Sequence, residues 1–258
     1  MTVSIALALA FGALIGVLLG LLGGGGSILA VPALVYAVGL DMQQAIPVSL
    51  LVIGVASAVG ALPKIRAKQV QWRLAGVFAA AGIPATFAGA AIGSHLPQSV
   101  LLLGFAAVMV LAGARMLSSN DHTGTACDAE GGIDWRRCAP RSIPAGLAVG
   151  LLTGLFGVGG GFLIIPALVL MLGVEMPIAI GTSLLIIVAN SVAGFLSHLH
   201  GLSVDWALAG AFAATATVAS LVAGQLGTRL NTDRLQRWFA YLVFVVAAFV
   251  VVDTIFLR

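Results

Sequence analysis

The sequence predicts an all-α polytopic membrane protein made of two inverted repeats, each a glycine-interrupted helical hairpin followed by three transmembrane helices. Three observations carry this. The 258 residues are 60% hydrophobic and 8% charged, with a mean hydropathy of +1.14, whereas soluble domains carry roughly 25% charge. Apolar runs of helix-spanning length recur, such as Val100 to Leu117, where a membrane barrel would alternate apolar and polar residues. One pattern of glycine, proline and tryptophan also occurs twice at a fixed spacing.

Pro32 and Pro166 set that spacing at 134 residues (166 − 32). The same offset holds without a gap for about a hundred residues, with identities at about three dozen positions. Gly12, Gly16 and Gly20 fall on Gly146, Gly150 and Gly154, and "PALV" at Pro32–Val35 repeats at Pro166–Val169. Ser57 and Gly60 match Ser191 and Gly194, and Trp72 matches Trp206. Shared lipid-phase composition aligns leucine with leucine; it does not align proline, tryptophan and glycine clusters at one offset. The chain divides into repeat 1 (residues 1–118), a polar linker loop (119–141) and repeat 2 (142–258).

Taken in order, the first element of each repeat is an interrupted segment, 3–38 and 142–172. Three full spans follow in each: 45–62, 74–92 and 100–117, then 178–197, 206–226 and 235–256. The start "MTVSIALALAFG" lacks the basic stretch of a signal peptide and reads as the first membrane segment. "GLLGGGGSILAVPALV" (Gly20–Val35) places four consecutive glycines in an apolar run. Each costs a helix up to about 1 kcal/mol relative to alanine, and in lipid every freed backbone group needs a partner. Spaced glycines such as Gly12, Gly16 and Gly20 suit close helix packing. Consecutive ones dismantle the helix.

Loop charges swap between the halves. "PKIRAKQVQWR" carries Lys64, Arg66, Lys68 and Arg73, while its counterpart "SHLHGLSVDW" has no Lys or Arg. One loop later the pattern reverses: "GSHLPQS" has none and "GTRLNTDRLQR" has Arg229, Arg234 and Arg237. Lys and Arg mark the cytoplasmic side, so the repeats are inverted. Each repeat then crosses an odd number of times. Three full spans supply that, so the interrupted segment returns to its own side as a hairpin with the glycines at its tip. Residues 27–38 rise only about 18 Å, half a span. The Arg136–Arg137–Arg141 loop is placed inside and both termini outside. In that reducing compartment Cys127 and Cys138 are expected as two free thiols. The net charge of +3 belongs to topology-setting loops, not to a nucleic-acid surface.

Half-helix N-termini carry partial positive charge and unpaired N–H groups. Arms beginning near Ser27 and Phe162 present theirs at the tips, Gly23, Gly24, Gly25 and Gly26 with Ser27, and Gly157, Gly159, Gly160 and Gly161 with Phe162. Glycine lets backbone approach a ligand unobstructed. Two tips entering from opposite faces meet near the midplane as an anion site of backbone amides. Ser49, Ser57, Thr182, Ser183, Asn190 and Ser191 in the paired second spans complete the candidate substrate site. For the serines the competing reading is a hydroxyl bonded to its own helix; for Asn190, which stands where repeat 1 has Ala56, it is interhelical glue. His198 and His200, with Asp205 nearby, read as interfacial loop residues, with a proton relay as the alternative. Trp72 and Trp206 read as interfacial anchors, and Pro32 and Pro166 as local kinks.

"GVLLGLLGGGGSILAVPAL" and "GLLTGLFGVGGGFLIIPAL" resemble the duplicated motif of the sulfite exporter TauE/SafE family. The likeness covers both repeats. It implies a multi-pass protein of the bacterial cytoplasmic (inner) membrane that moves sulfite, sulfoacetate or related organosulfonates and oxyanions. Val158 stands where repeat 1 has Gly24, and Phe162 where it has Ile28, so the two tips are not equivalent. The leading function is a secondary transporter working by alternating access. An anion channel and a membrane-embedded thiol-redox protein are the alternatives. No HExxH, GxSxG or paired intramembrane carboxylate points to an enzyme. No metal or other cofactor is expected. The expected partners are a small anion and membrane lipid, with homo-oligomerisation left open.

Overall fold

The computed structural model describes residues 2–22, 26–118, 128–129, 132–133, 135–156, 161–198, 206–226, 241 and 243–252. Helices dominate: α1 (Thr2–Leu22), α2 (Ser27–Pro32), α3 (Met42–Arg66), α4 (Trp72–Gly93), α5 (Gln98–Ser118), α6 (Trp135–Phe156), α7 (Gly161–Pro166), α8 (Met176–Ser197) and α9 (Trp206–Leu226). A further apolar helix, α10, runs over Val243–Val252. Within α3, α4 and α8, the stretches Gln43–Arg66, Trp72–Gly93 and Pro177–Ser197 are long and apolar enough to cross a membrane. α1, α5 and α9 have 21 residues each, about 31 Å of helix.

The short arms have the lengths their sequence predicts. α2 continues as a π-helix over Ala33–Val38, and α7 as one over Ala167–Met171. Both changes of register follow a proline, Pro32 and Pro166. Proline lacks an N–H and its ring crowds the carbonyl four residues back, so the wider turn is the form the local kink takes. Each arm ends on a left-handed glycine, Gly39 at φ +81° and Gly173 at φ +69°. There the Leu40 N–H donates to the Leu34 carbonyl at 3.1 Å and the Val174 N–H to the Leu168 carbonyl at 3.0 Å. Leu40 and Val174 are again 134 residues apart.

Packing exchanges partners between the repeats. α1 lies along α9 and α4 lies along α6, while α3 packs against α8 and α9, α8 against α4, and α2 against α7. The spaced glycines make the two long seams. A Cβ at Gly16 would overlap the Ala216 carbonyl, and one at Gly20 the Ser220 carbonyl. In the other seam, a Cβ at Gly150 would overlap the Gly82 carbonyl, and one at Gly154 the Thr86 carbonyl. Ala216 and Gly82, like Ser220 and Thr86, are equivalent under the 134-residue offset. The packing role expected for these glycines is therefore the one they play. Phe78, its equivalent Phe212, and Phe105 are fully buried. Trp72 and Trp206 stay exposed, as anchors at span ends do.

Two expectations are corrected in the linker. Helix α6 starts at Trp135, not at residue 142. Cys138, Ser142, Ala145 and Val149 form a buried stripe at three- and four-residue steps, so the apolar face extends into what reads as a polar loop. Cys138 is disulfide-bonded rather than a free thiol. A short antiparallel ladder pairs Asp128 with Ile133 and Ala129 with Gly132. It turns the chain back toward the start of α6, where Cys138 sits. Cys127, the other cysteine of the chain, lies outside the described residues.

Candidate functional site

The site is built where α3 crosses α8. These are the best-buried spans, with 72% and 67% of their apolar windows inside the protein, against 39% for α4. Polar residues here have no water to fall back on. Ser49, Ser57, Thr182, Ser183, Asn190 and Ser191 are all at most 1% exposed.

Their hydrogen bonds divide them. The Ser49 hydroxyl donates to the Ile46 carbonyl at 2.7 Å, and the equivalent Ser183 to the Ile180 carbonyl at 2.8 Å, each within its own helix. Thr182 Oγ1 accepts the Gln71 backbone N–H at 3.0 Å, which seats the α3–α4 turn on α8. Ser57, Asn190 and Ser191 have no partner for their side-chain polar atoms, and for Asn190 this includes both the amide oxygen and nitrogen. An unsatisfied buried polar group costs about 1–3 kcal/mol, so these side chains stand out in a packed core.

Glycines of the facing helices let these groups lie close to neighbouring backbone. A Cβ at Gly54 of α3 would sit 3.2 Å from Ser191, and one at Gly82 of α4 would sit 2.6 Å from Asn190 Oδ1. From α9 comes Ser220, fully buried and equally unpartnered. A Cβ at Gly60 would approach its hydroxyl to 2.7 Å. Sequence reading passes over Ser220 because its repeat counterpart is Thr86, not serine. The available signal is that both carry a buried hydroxyl. Thr86 is satisfied by the Gly82 carbonyl at 2.8 Å; Ser220 is not satisfied. Ser57, Asn190, Ser191 and Ser220 offer three hydroxyl and two amide N–H donors, with no charge among them. Such a set can hydrogen-bond an oxyanion without fixing a counter-charge in the core.

Of the glycine tips, Gly26 and Gly161 are described and buried. A Cβ at Gly26 would overlap the Ile15 carbonyl, so α1 and α2 touch at the tip. Ser27 is fully buried and bonded. Gly23, Gly24, Gly25, Gly157, Gly159 and Gly160 lie outside the described residues, as does the Phe162 side chain. His198 is half-buried at the end of α8, its Nδ1 2.8 Å from the Gly194 carbonyl; His200 and Asp205 lie outside the described residues. A groove of about 670 Å³ between α1 and α9 is lined by residues such as Val17, Leu21, Val218 and Val222. Its one hydroxyl, Thr215, is committed to the Ala211 and Phe212 carbonyls. With Val218 and Val222 more than half exposed, it is an open apolar groove and not a polar binding site. Among the described residues no group of His, Cys, Asp and Glu could hold a metal.

Apolar helices of spanning length, packed around buried uncharged polar side chains, are the features of a multi-pass membrane protein. The chain belongs to the sulfite exporter TauE/SafE family, whose model matches residues 8–250. It is 35% identical over 247 residues to a probable membrane transporter protein of Xylella fastidiosa (strain 9a5c), covering 93% of this chain and 92% of that one. It is 27% identical over 238 residues to the probable membrane transporter protein YunE of Bacillus subtilis (strain 168), covering 85% and 86%. No solved structure matches the chain.

Proposed function

We propose that the protein is a secondary transporter of the bacterial inner membrane. It exports sulfite, sulfoacetate or a related sulfur oxyanion by alternating access of two inverted repeats. The observation that carries this is that Ser57 of α3, Asn190 and Ser191 of α8 and Ser220 of α9 are buried and unpartnered on spans that pack around α3 and α8. Its donors suit an anion, and its neutrality lets the anion leave. The exchange of packing partners under the repeat offset supports a two-fold relation between the halves, and the swapped loop charges support its inversion. Outward movement of one negative charge gains about 2.3 kcal/mol per 100 mV of inside-negative potential, so export can run on potential alone.

Flux decides the reading. In vesicles containing the purified protein, saturable uptake of radiolabelled sulfite or sulfoacetate is expected, and counterflow distinguishes a carrier from a channel. Absence of saturable flux for sulfite, sulfate and sulfoacetate alike overturns it. Within the site, Ser220→Ala is expected to raise the half-saturating concentration roughly three- to tenfold, the loss of one hydrogen bond; an unchanged value would place Ser220 outside the site. Inversion is tested with single cysteines at the equivalent positions Ala67 and Gly201, in a background where Cys127 and Cys138 are serine. An impermeant maleimide is expected to reach them from opposite faces, and labelling from one face only contradicts inversion.

A further inference from the structure

We propose a second anion site, at the end of α3, formed by Lys64 with the Gln69 side-chain amide and the Thr182 hydroxyl, which loads the transporter from the Lys/Arg-rich face. It rests on the transport reading above only for the direction of loading.

Lys64 is 6% exposed. Its neighbours in the same loop, Arg66 and Lys68, are exposed. These two suffice to mark the membrane side and to complement the C-terminal end of the α3 dipole, and neither role requires Lys64 to be buried. Among the described residues Lys64 forms no ion pair. Glu175, the acid at the start of α8, is exposed at that helix's N-cap. The lysine stem is buried and its ammonium has no acid beside it among the described residues, so an anion in transit can supply the counter-charge.

The backbone around Lys64 is shaped to hold other donors beside it. α3 closes with the Lys68 N–H donating to the Ile65 carbonyl and the Gln69 N–H to the Lys64 carbonyl, at 3.0 and 2.9 Å, the paired bonds of a Schellman end. The left-handed position falls on Lys68, at φ +56°, where glycine is the unstrained choice. That turn sets Gln69 against α8. A Cβ at Gly181 would overlap the Gln69 carbonyl and lie 3.3 Å from the Lys64 Cβ. Glycine at 181 is therefore what lets the lysine stem reach α8. The side-chain oxygen of Gln69 is buried and unpartnered; the amide can turn to present its N–H₂ instead. Next in sequence, Thr182 accepts from Gln71 N–H and keeps its own hydroxyl proton to donate.

This site stands apart from the central one. Ser57 precedes Lys64 by seven residues on α3, about 10 Å of helix. Under the repeat offset Lys64 falls on His198, at the end of α8. The pair α3–α8 thus carries a basic residue at the same place in both halves, a lysine in one and a histidine in the other.

The test uses full-length protein oriented in vesicles, with sulfite as the probe. Lys64→Gln is expected to raise the half-saturating sulfite concentration roughly tenfold from the Lys64 face, the loss of one charge-assisted hydrogen bond. The maximal rate falls less than that, the opposite face is little affected, and Lys64→Arg largely restores the parent value. Equal half-saturation for parent and Lys64→Gln, or an equal shift at both faces, overturns the proposal. A second measurement separates it from the transport reading. Sulfite is expected to raise the melting temperature of the detergent-purified parent, and Lys64→Gln to reduce that shift. If the parent moves no sulfite, transport of sulfite fails, while an identical melting shift in parent and Lys64→Gln would sink the Lys64 site alone.

Discussion

Asn190→Ala is expected to lower anion flux by roughly ten- to hundredfold while leaving the protein at least as stable as the parent. The two effects have opposite signs because Asn190 is buried with both ends of its amide unpartnered. Removing it relieves desolvation costs of about 1–3 kcal/mol per group, while an anion losing that contact gives up about 1.5–3 kcal/mol. Alanine is also what the equivalent position of repeat 1 holds, Ala56, 1% exposed in the same helical setting. Thermal melting in detergent and sulfite flux in vesicles read the two effects separately. A lower melting temperature with unchanged flux would make Asn190 a tie between helices and not a ligand.

The second large effect falls on the seams. Gly16→Val and Gly150→Val are each expected to cost more than the usual 1–3 kcal/mol of core overpacking and to remove most of the monodisperse protein from gel filtration. In both cases the atom in the way is a backbone carbonyl oxygen of the facing helix, that of Ala216 or Gly82. A carbonyl in a helix has no rotamer to retreat into, so the helices must part along their length. Gly76 and Gly210 supply the control. They are another equivalent pair, and a Cβ at either meets nothing within 4 Å. Alanine there is expected to be neutral or to stabilise by up to about 1 kcal/mol. If Gly16→Val elutes and melts like the parent, the α1–α9 seam is looser than its glycines indicate.

Much of this fold is legible in the sequence because the repeat does the work of a second witness. The short arm at 27–38 and the proline within it each occur twice, so each reading is checked by its copy. The errors fall where no copy exists. Trp135 and Cys138 align with the first residues of the chain, which share nothing with them, and charge alone makes that stretch look like a loop. The buried stripe through Cys138 and Ser142 is hidden by Arg136, Arg137 and Arg141 on the same turns. At the site, the serines and Asn190 stand out as polar residues in apolar spans, but spacing does not tell Ser49, bonded to its own helix, from Ser57, which has no partner. That distinction depends on which helix lies opposite, a tertiary fact. Lys64 is missed for a related reason. A lysine at a span end reads as a topology marker, and only the closeness permitted by Gly181 shows that it is buried.

The exchange of helices along the two seams bears on which part of the chain can pack by itself. α1 finds its close partner in α9, and α6 finds its own in α4, so neither half encloses its own hairpin. Each long seam ties a helix within residues 2–93 to one within residues 135–226. Severed from its mate, a half would turn a stripe of glycines toward lipid and lose the close packing that those glycines permit. The seams therefore make the packing of either half depend on the other.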